Sequence, residues 1–573
     1  MKKYMLMNKG ADFTGLGEKL NIDPMIVRIL RNKGFTGEDE MRRYLYADIK
    51  EIHSPWLLPN IDEAVDILIK KINNNSKIRI IGDYDIDGVQ STYILYDALK
   101  RLGADVSYTI PDRIADGYGI NVNLIELAIK DGADTILTCD NGISAFEQIE
   151  YAKSKGLTVI VTDHHDIPFS LGENEEKIER LVKADVIVNP KLNSKKPYPF
   201  PGICGAVVAW KYMMALYERL NRSEDIMRMY LENAAFATVG DVMDLCDENR
   251  IIVKYGLTAL KNTKNPGMSA LIEGTKIDID QLSAYHIGFV LGPCINASGR
   301  LDTAKRSLSL LLESDEKKAK ALAEELIELN DIRKDMTAKG EEAAFEEVDN
   351  TDLKDDRVLV IYLKDLHESL AGIVAGRVRE RYGKPTFVLT GTEDNTVKGS
   401  GRSIDAFHMS DALQEVEDIL LKYGGHPLAA GLSIEEDKIG EFRRRLNENC
   451  TLKEEDFVEK VSIDAVLPLS YISADFIDTL KVLEPFGKGN SKPVFAATDV
   501  KILYPKLLGA NGRVMRCKLE DKNGFGYNAV YFGDANAMIS KIDNESEYRI
   551  IYYPKRDDYR GGDEFQIVID DIL

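Results

Sequence analysis

Two hydrophobic periodicities divide the chain. Residues 1–75 read as polar and helical, closing with IDEAVDILIKKI (61–72), whose apolar positions recur at helical spacing until NNNS (73–76) breaks the pattern. From residue 76 short apolar runs alternate with amphipathic stretches. KIRII (77–81) predicts a strand, residues 89–101 an amphipathic helix, and residues 135–138, 157–161 and 185–188 further buried strands, with a crossover helix at 145–155. That alternation predicts a parallel sheet covered on both faces. Residues 314–348 predict one long helix. Ser314 is its expected cap, Asp315 and Glu316 suit the positive helix start, and Leu322, Leu326 and Leu329 form one stripe. RVLVIY (357–362) opens a second α/β unit running to about residue 450. After EPFGKGN (484–490) the period becomes two. Residues 514–519, 527–532, 548–553 and 565–569 predict strands joined by Asp-, Asn- and Gly-rich turns, as in a small barrel of the oligonucleotide-binding type.

The length of 573 residues fits three or four domains. Apolar residues at 44% and charged residues at 29% exclude a disordered or collagen-like chain. There is no apolar run near the ~18 residues of a membrane span and no signal-peptide core. The six cysteines never form a C-x-x-C pair, which argues against a disulfide framework and a zinc ribbon and fits a reducing cytoplasm. The net charge of −21 argues against a broad coating of nucleic acid, yet allows a local basic track or a metal-filled acidic cleft.

The acids sit at strand ends. GDYDIDG (82–88) follows the first strand, CDNG (139–142) ends the next, and DHH (163–165) ends a third. Loops at the carboxyl ends of parallel strands converge on one crevice. Asp83, Asp85, Asp87, Asp140, Asp163, His164 and His165 are therefore expected in one place. Carboxylates packed so closely repel one another unless something cationic joins them. Oxygen ligands with one or two imidazoles suit Mn²⁺ or Mg²⁺ better than zinc. DxDxDG is also the first half of a calcium loop, but no helix precedes it and no Glu stands at the twelfth position. Asp241 and Asp244, in TVGDVMDL (238–245), can add a carboxylate.

This order of motifs resembles the DHH phosphoesterase superfamily. PDRIADGYG (111–119), IVNP (187–190), GPCINASGR (292–300), GSGRS (399–403), YGGHPLAAG (423–431) and EPFGKGN resemble the bacterial RecJ-type exonuclease family within it, over residues 45–573. The implied architecture is α/β: an N-terminal helical segment (1–75), a DHH parallel-sheet domain (76–310), a connecting helix (311–350), a DHHA1 α/β domain (351–455) and an OB-like β-barrel (456–573). The implied activity is 5′→3′ hydrolysis of single-stranded DNA in repair and recombination, with two Mn²⁺ or Mg²⁺ ions about 4 Å apart.

Asp85, Asp87, Asp140, His164 and Asp241 match the family's ligand positions, with Asp140 as the bridge. Asp83 ligates or orients, Asp163 holds an imidazole, and His165 touches the scissile phosphate or the leaving oxygen. Arg113 matches a position near the 5′ end. Arg300, Arg402, Ser403, Gly424, Gly425 and His426 match the phosphate-binding segments, where glycines allow close backbone approach and arginine offers paired donors. Cys294 departs from the family, which places Arg there.

In the β domain, Tyr527, Tyr531, Tyr552, Tyr553 and Tyr559 lie near Arg549, Lys555, Arg556 and Arg560. Core packing accounts for most of these tyrosines, and the hairpin at 553–560 is the candidate for stacking on bases. The family implies a single-strand-binding protein and a helicase as partners; no membrane association and a monomer are expected as well. Two other readings compete: a DHH phosphodiesterase for short oligonucleotides or cyclic dinucleotides, and a non-catalytic DNA-threading scaffold. The intact acid and histidine set opposes the second.

Overall fold

The first sheet explains why the acids converge. In this computed structural model, which describes residues 2–171, 177–392, 396–509, 512–543, 546–556 and 565–573, its five strands are all parallel. Their spatial order is Val106–Thr109, Ile78–Ile81, Thr135–Cys139, Thr158–Thr162, Val186–Val188. Ile78–Ile81 is buried at every position, as a strand must be when helices cover both faces. In chain order the sheet reads 2-1-3-4-5. The winding reverses between Ile78–Ile81 and Thr135–Cys139, and the crevice of a doubly wound sheet opens at that reversal, beyond the strands' carboxyl ends. The edge strand Val106–Thr109 was not among the expected elements. VSYT is half-buried and too short to show a period.

The chain forms two compact units, one of His53–Met243 with Tyr255–Glu459, the other of Lys2–Ile52 with Asp244–Lys254 and Lys460–Leu573. Within the first, the helix Glu316–Asn350 joins two cores. Ala319, Ala323 and Leu326 pack with Ile86, Ile287 and Leu291, while Ala344 and Val348 pack with Leu359, Val374 and Val388. Its cap is Asp315, whose side chain accepts from the Lys317 and Lys318 amides, not the expected Ser314; a carboxylate at the positive end outcompetes a hydroxyl one residue outside it. The second sheet runs Leu420–His426, Ala429–Glu435, Thr396–Arg402, Thr386–Gly391, Leu359–Tyr362, antiparallel except for its last pair. GSGR and YGGH thus lie on strands that flank Ala429–Glu435.

The second unit closes a barrel. Phe495–Leu508, Val514–Asp521, Gly526–Phe532, Phe565–Ile572 and Tyr548–Arg556 pair in order, and the last returns to the first. Phe495–Leu508, the longest strand, was missing from the expected set. Its register shifts twice, and Asp499 and Tyr504 take positive φ, so bulges erase the period-two signal. Residues 1–75 also differ from one helical segment. Lys2–Leu6 is a strand, paired with Glu459–Ile463. The helices Phe13–Leu20, Pro24–Asn32 and Glu38–Tyr46 bury Leu20, Ile26, Ile29, Leu30 and Leu45 in the same core as the barrel's Phe495, Met515 and Tyr552. Among the described residues no helix is long and apolar enough to cross a membrane.

Candidate metal centre and phosphate pocket

Each acid is placed by a local device. Asp85 caps the helix Ile86–Arg101, its Oδ1 accepting from the Asp87 and Gly88 amides at 3.0 and 3.1 Å. Gly88 must be glycine, since a Cβ there would lie 2.5 Å from the Asp83 carbonyl oxygen. Asp87 is fully buried and accepts the Gly205 and Ala206 amides (2.6 and 2.8 Å) at the start of Gly205–Arg219, where the helix dipole favours its charge. Asp140 leaves the strand Thr135–Cys139 at φ 61°, a left-handed conformation that turns its carboxylate toward the others. Asp241 follows the helix Leu231–Gly240.

These devices converge. His164 Nε2 lies 3.1 Å from Asp140 Oδ1, 3.5 Å from Asp87 Oδ2 and 3.7 Å from Asp241 Oδ2. Three overlapping ligand groups result: Asp83, Asp85 and Asp140; Asp87, His164 and Asp241; and Asp140, His164 and His165. Asp140 belongs to two of them. Burial, then the neighbouring carboxylates, raises the pKa of Asp83 and of Asp140 well above the ordinary range. Buried Asp83 Oδ2, Asp140 Oδ1 and His164 Nδ1 find no hydrogen-bond partner among the described residues. Acceptors that are buried, crowded and unsatisfied, arrayed with one imidazole, fit a hard divalent cation.

Asp163 differs in kind. Its oxygens accept the Ile143, His164 and His165 amides, and Oδ1 stands 2.7 Å from His165 Nδ1. Burial opposes its charge, but the His165 hydrogen bond and the two imidazoles hold it down to about 2. Reciprocally, burial opposes the imidazolium of His165, and Asp163 overrides it to raise the pKa to about 9.

Sequence reasoning missed Tyr118. Its hydroxyl donates to the Asp140 carbonyl at 2.9 Å and lies 3.3 Å from the His165 ring nitrogens. Next to it the Gly119 amide reaches Asp83 Oδ1 (3.3 Å) and the Ile120 amide reaches Asn141 Oδ1 (3.2 Å). The signal was the GYG of PDRIADGYG, a segment read only for Arg113.

Three arginines from distant segments gather beside one another, and one of them, Arg300, interacts with Asp85. The Arg113 guanidinium sits 4.7 Å over the Tyr84 ring. Arg300 donates to the Ser369 carbonyl at 2.7 Å, and Arg402 to the Gly401 carbonyl at 2.7 Å. Burial, followed by the charges of Arg113, Arg333 and Arg402, brings Arg300 down to about 10, with Asp85 opposing the shift. Burial, Arg379 and Arg113 lower Arg402 in the same way. Beside them opens a cavity of about 370 Å³, lined by Tyr84, Arg113, Ser369, Lys398, Ser400 and Gly424 among others.

Three expected residues stand apart from that group. The buried Ser403 hydroxyl donates to the Phe407 carbonyl at 2.6 Å and so shapes a turn. Gly425 is required by its own hairpin, where a Cβ would lie 2.5 Å from the Ala429 carbonyl oxygen and the Ala430 Cα, whereas Gly424 has open space. His426 is exposed, its Nδ1 3.9 Å from Asp166 Oδ2. Gly401 likewise makes room for Met409 and Phe387, while Gly399 makes room for Leu389 and Leu432 and also lines the cavity. Cys294 is buried against the long helix, donating to the Val290 carbonyl and accepting from Asn330 Nδ2 at 3.4 Å. Asp244 lies in the second unit, 3.5 Å from Lys488 Nζ.

Barrel tyrosines follow the packing expectation. Tyr552 is fully buried with its hydroxyl on the Leu467 carbonyl, Tyr527 bonds the Ile472 carbonyl, and Tyr531 and Tyr553 pack on the same core. Arg556 pairs with Asp478. Tyr559 and Arg560 lie outside the described residues.

Comparison with known proteins places the chain in a family. Residues 77–238 match the DHH family, N-terminal domain, residues 355–451 the DHHA1 domain, and residues 463–571 the RecJ OB domain. The single-stranded-DNA-specific exonuclease RecJ of Haemophilus influenzae is 30% identical over 97% of this chain and 97% of its own length. The chain belongs to the RecJ family. The RecJ of Escherichia coli is 31% identical over 96% of each chain. That of Bacillus subtilis is 34% identical over 87% of this chain, which spans 61% of the longer relative. Among solved structures, RecJ from Thermus thermophilus in complex with Mn²⁺ matches with a TM-score of 0.82 at 26% identity, covering 100% of this chain and 79% of that one. A second RecJ structure from that organism is in complex with Mg²⁺.

Proposed function

We propose that this RecJ-family exonuclease degrades single-stranded DNA from the 5′ end, by phosphodiester hydrolysis at two divalent cations. The observation that carries this reading is the pairing, within one unit, of a buried carboxylate cluster with a cluster of partly buried arginines, each crowded with like charge. Asp85, Asp87, Asp140, His164 and Asp241 would hold the cations, with Asp140 shared between them, and Asp83 would ligate or orient. When bound, Mn²⁺ or Mg²⁺ would acidify a water and neutralise the phosphate under attack. Asp163 fixes the His165 ring through Nδ1, leaving Nε2 to donate to the scissile phosphate or the leaving oxygen. Tyr118 braces the Asp140 backbone. Arg113, Arg300 and Arg402, with Gly424, would bind a terminal phosphate; paired donors from arginine suit its geometry. Ser403 and Gly425 maintain the turns that present them.

Relatives named as single-stranded-DNA-specific exonucleases support this substrate. A cytoplasmic monomer acting in repair and recombination, alongside a helicase and a single-strand-binding protein, is the setting this activity suits. The test uses 5′-labelled single strands, duplexes, dinucleotides and cyclic dinucleotides, each with Mn²⁺ or EDTA. Cleavage of single strands that requires Mn²⁺ is expected. Preference for dinucleotides or cyclic dinucleotides contradicts the substrate, and cleavage in EDTA contradicts the mechanism.

A further inference from the structure

An aromatic pair stands exposed on the element that backs the carboxylate cluster. Tyr285 and Phe289 are 62% and 67% exposed, and their rings stack with centroids 4.9 Å apart and planes 28° apart. Phe289 belongs to a single π-helical turn, Ile287–Leu291, set between Ala284–His286 and Gly292–Leu301. Such turns are rare and concentrate at functional sites.

The buried side of this turn packs against the residues next to the ligand candidates. Ile287 and Leu291 share a core with Ile86, which stands between Asp85 and Asp87. A Cβ on Gly292 would lie 3.1 Å from Ile86 Cδ1, and one on Gly288 would lie 3.7 Å from Val239 Cγ1, two residues before Asp241. Val242, directly after Asp241, is 60% exposed and takes φ 57°, a strained conformation for a β-branched residue. The stacked rings therefore ride on the scaffold that positions Asp85, Asp87 and Asp241.

We propose that Tyr285 and Phe289 are a stacking platform for an unpaired base of the strand whose phosphates reach the carboxylate cluster. This rests on the single-strand reading above and adds a base-binding subsite to it. Every base has a π face, which makes such an anchor indifferent to sequence. In a duplex those faces are covered by neighbouring pairs, so the platform also favours single strands.

The experiment measures affinity of the full-length protein for a 5′-phosphorylated, phosphorothioate-linked oligothymidylate in Mn²⁺. Phe289→Ala and Tyr285→Ala should each weaken binding by about 5- to 150-fold, the range measured per stacked base. Phe289→Leu, which keeps the apolar bulk but has no aromatic face, should bind as weakly as the alanine variant. Phe289→Trp should keep wild-type affinity, and its fluorescence should be quenched on binding. Melting temperature and its rise with Mn²⁺ should stay at wild-type values, since both rings lie outside the ligand set. Wild-type affinity in the alanine and leucine variants with no quench in the tryptophan variant overturns the platform alone. A lost self-association in the variants, with DNA affinity unchanged, makes the patch a contact between copies and overturns it too. A wild-type protein that binds no single strand overturns both this inference and the function it rests on.

Discussion

The carboxylate cluster and the arginine cluster are opposite in charge and alike in predicament. Both gather like charges where water is scarce, and in both the pKa moves toward the neutral form: Asp83 and Asp140 upward, Arg300 down to about 10. A cluster that served only folding would pair its charges internally, as Arg443 does with Asp352 and Asp356. On the proposed function, these two leave theirs for a visitor of opposite sign, cations on one side and phosphate on the other. They differ in how they are built. The acids sit on the loops that end adjacent strands, so the topology alone assembles them. The arginines come from residues 113, 300 and 402, and only tertiary packing brings them together.

The largest effect should come from Asp140. Asp140→Asn should abolish cleavage, beyond the roughly 10- to 100-fold loss typical of groups outside the ligand set. The same change should raise the melting temperature in EDTA, because it removes one repelling charge from a buried cluster. Single-turnover cleavage and a thermal melt in chelator check the two halves. A variant that is both active and no more stable would break the acid side of the comparison.

Arg300→Ala and Arg402→Ala come next. Each should weaken binding of a 5′-phosphorylated strand by about 1.5–3 kcal/mol, the range for hydrogen bonds to charged groups, and leave a 5′-hydroxyl strand much less affected. Competition between the two strand types reads this directly. Equal losses on both would mean that the arginines hold the fold and not a terminal phosphate.

A smaller effect belongs to Tyr118. Tyr118→Phe removes the hydroxyl that braces the Asp140 carbonyl, which predicts a loss of about 10-fold in kcat, the lower end for groups that orient a ligand, with KM little changed. A rise in KM alone would assign Tyr118 to the substrate.

The smallest is a pH effect on stability in EDTA. The raised pKa of His165, about 9 against an ordinary 6.5, makes its contribution complete below about 6.5 and lost as pH climbs through 9. Asp163, held down to about 2, contributes fully above about 4 and loses that contribution only as pH falls toward 2. The melting-temperature gap between wild type and His165→Asn should therefore be widest between about pH 4 and 6.5 and close towards 9. A gap that stays constant across this range would show that the pair does not titrate as argued.

Legibility in the sequence followed the same division. Acids directly after apolar runs were readable because strand ends and parallel order follow from local periodicity. Tyr118 stood within a legible segment, PDRIADGYG, but its role did not show there, since a hydrogen bond to the Asp140 backbone follows from the fold and not from the motif. Ser403 and Gly425 fitted a phosphate pattern, yet their contacts are with Phe407 and with Ala429 and Ala430. The strand Phe495–Leu508 hid behind its bulges. The association of residues 2–52 with the barrel core was equally invisible, because the partners of Ile26 and Leu30 lie hundreds of residues away.

The most direct test of the central claim is a Mn²⁺ titration of the metal-stripped, full-length protein by calorimetry, followed by a thermal melt. Uptake of two ions per chain is predicted, with stabilisation of about 2.7 kcal/mol per ion when free Mn²⁺ reaches a hundredfold excess over Kd, and Asp140→Asn should lose uptake of both. No uptake by the wild type, or identical uptake by the variant, would contradict the account.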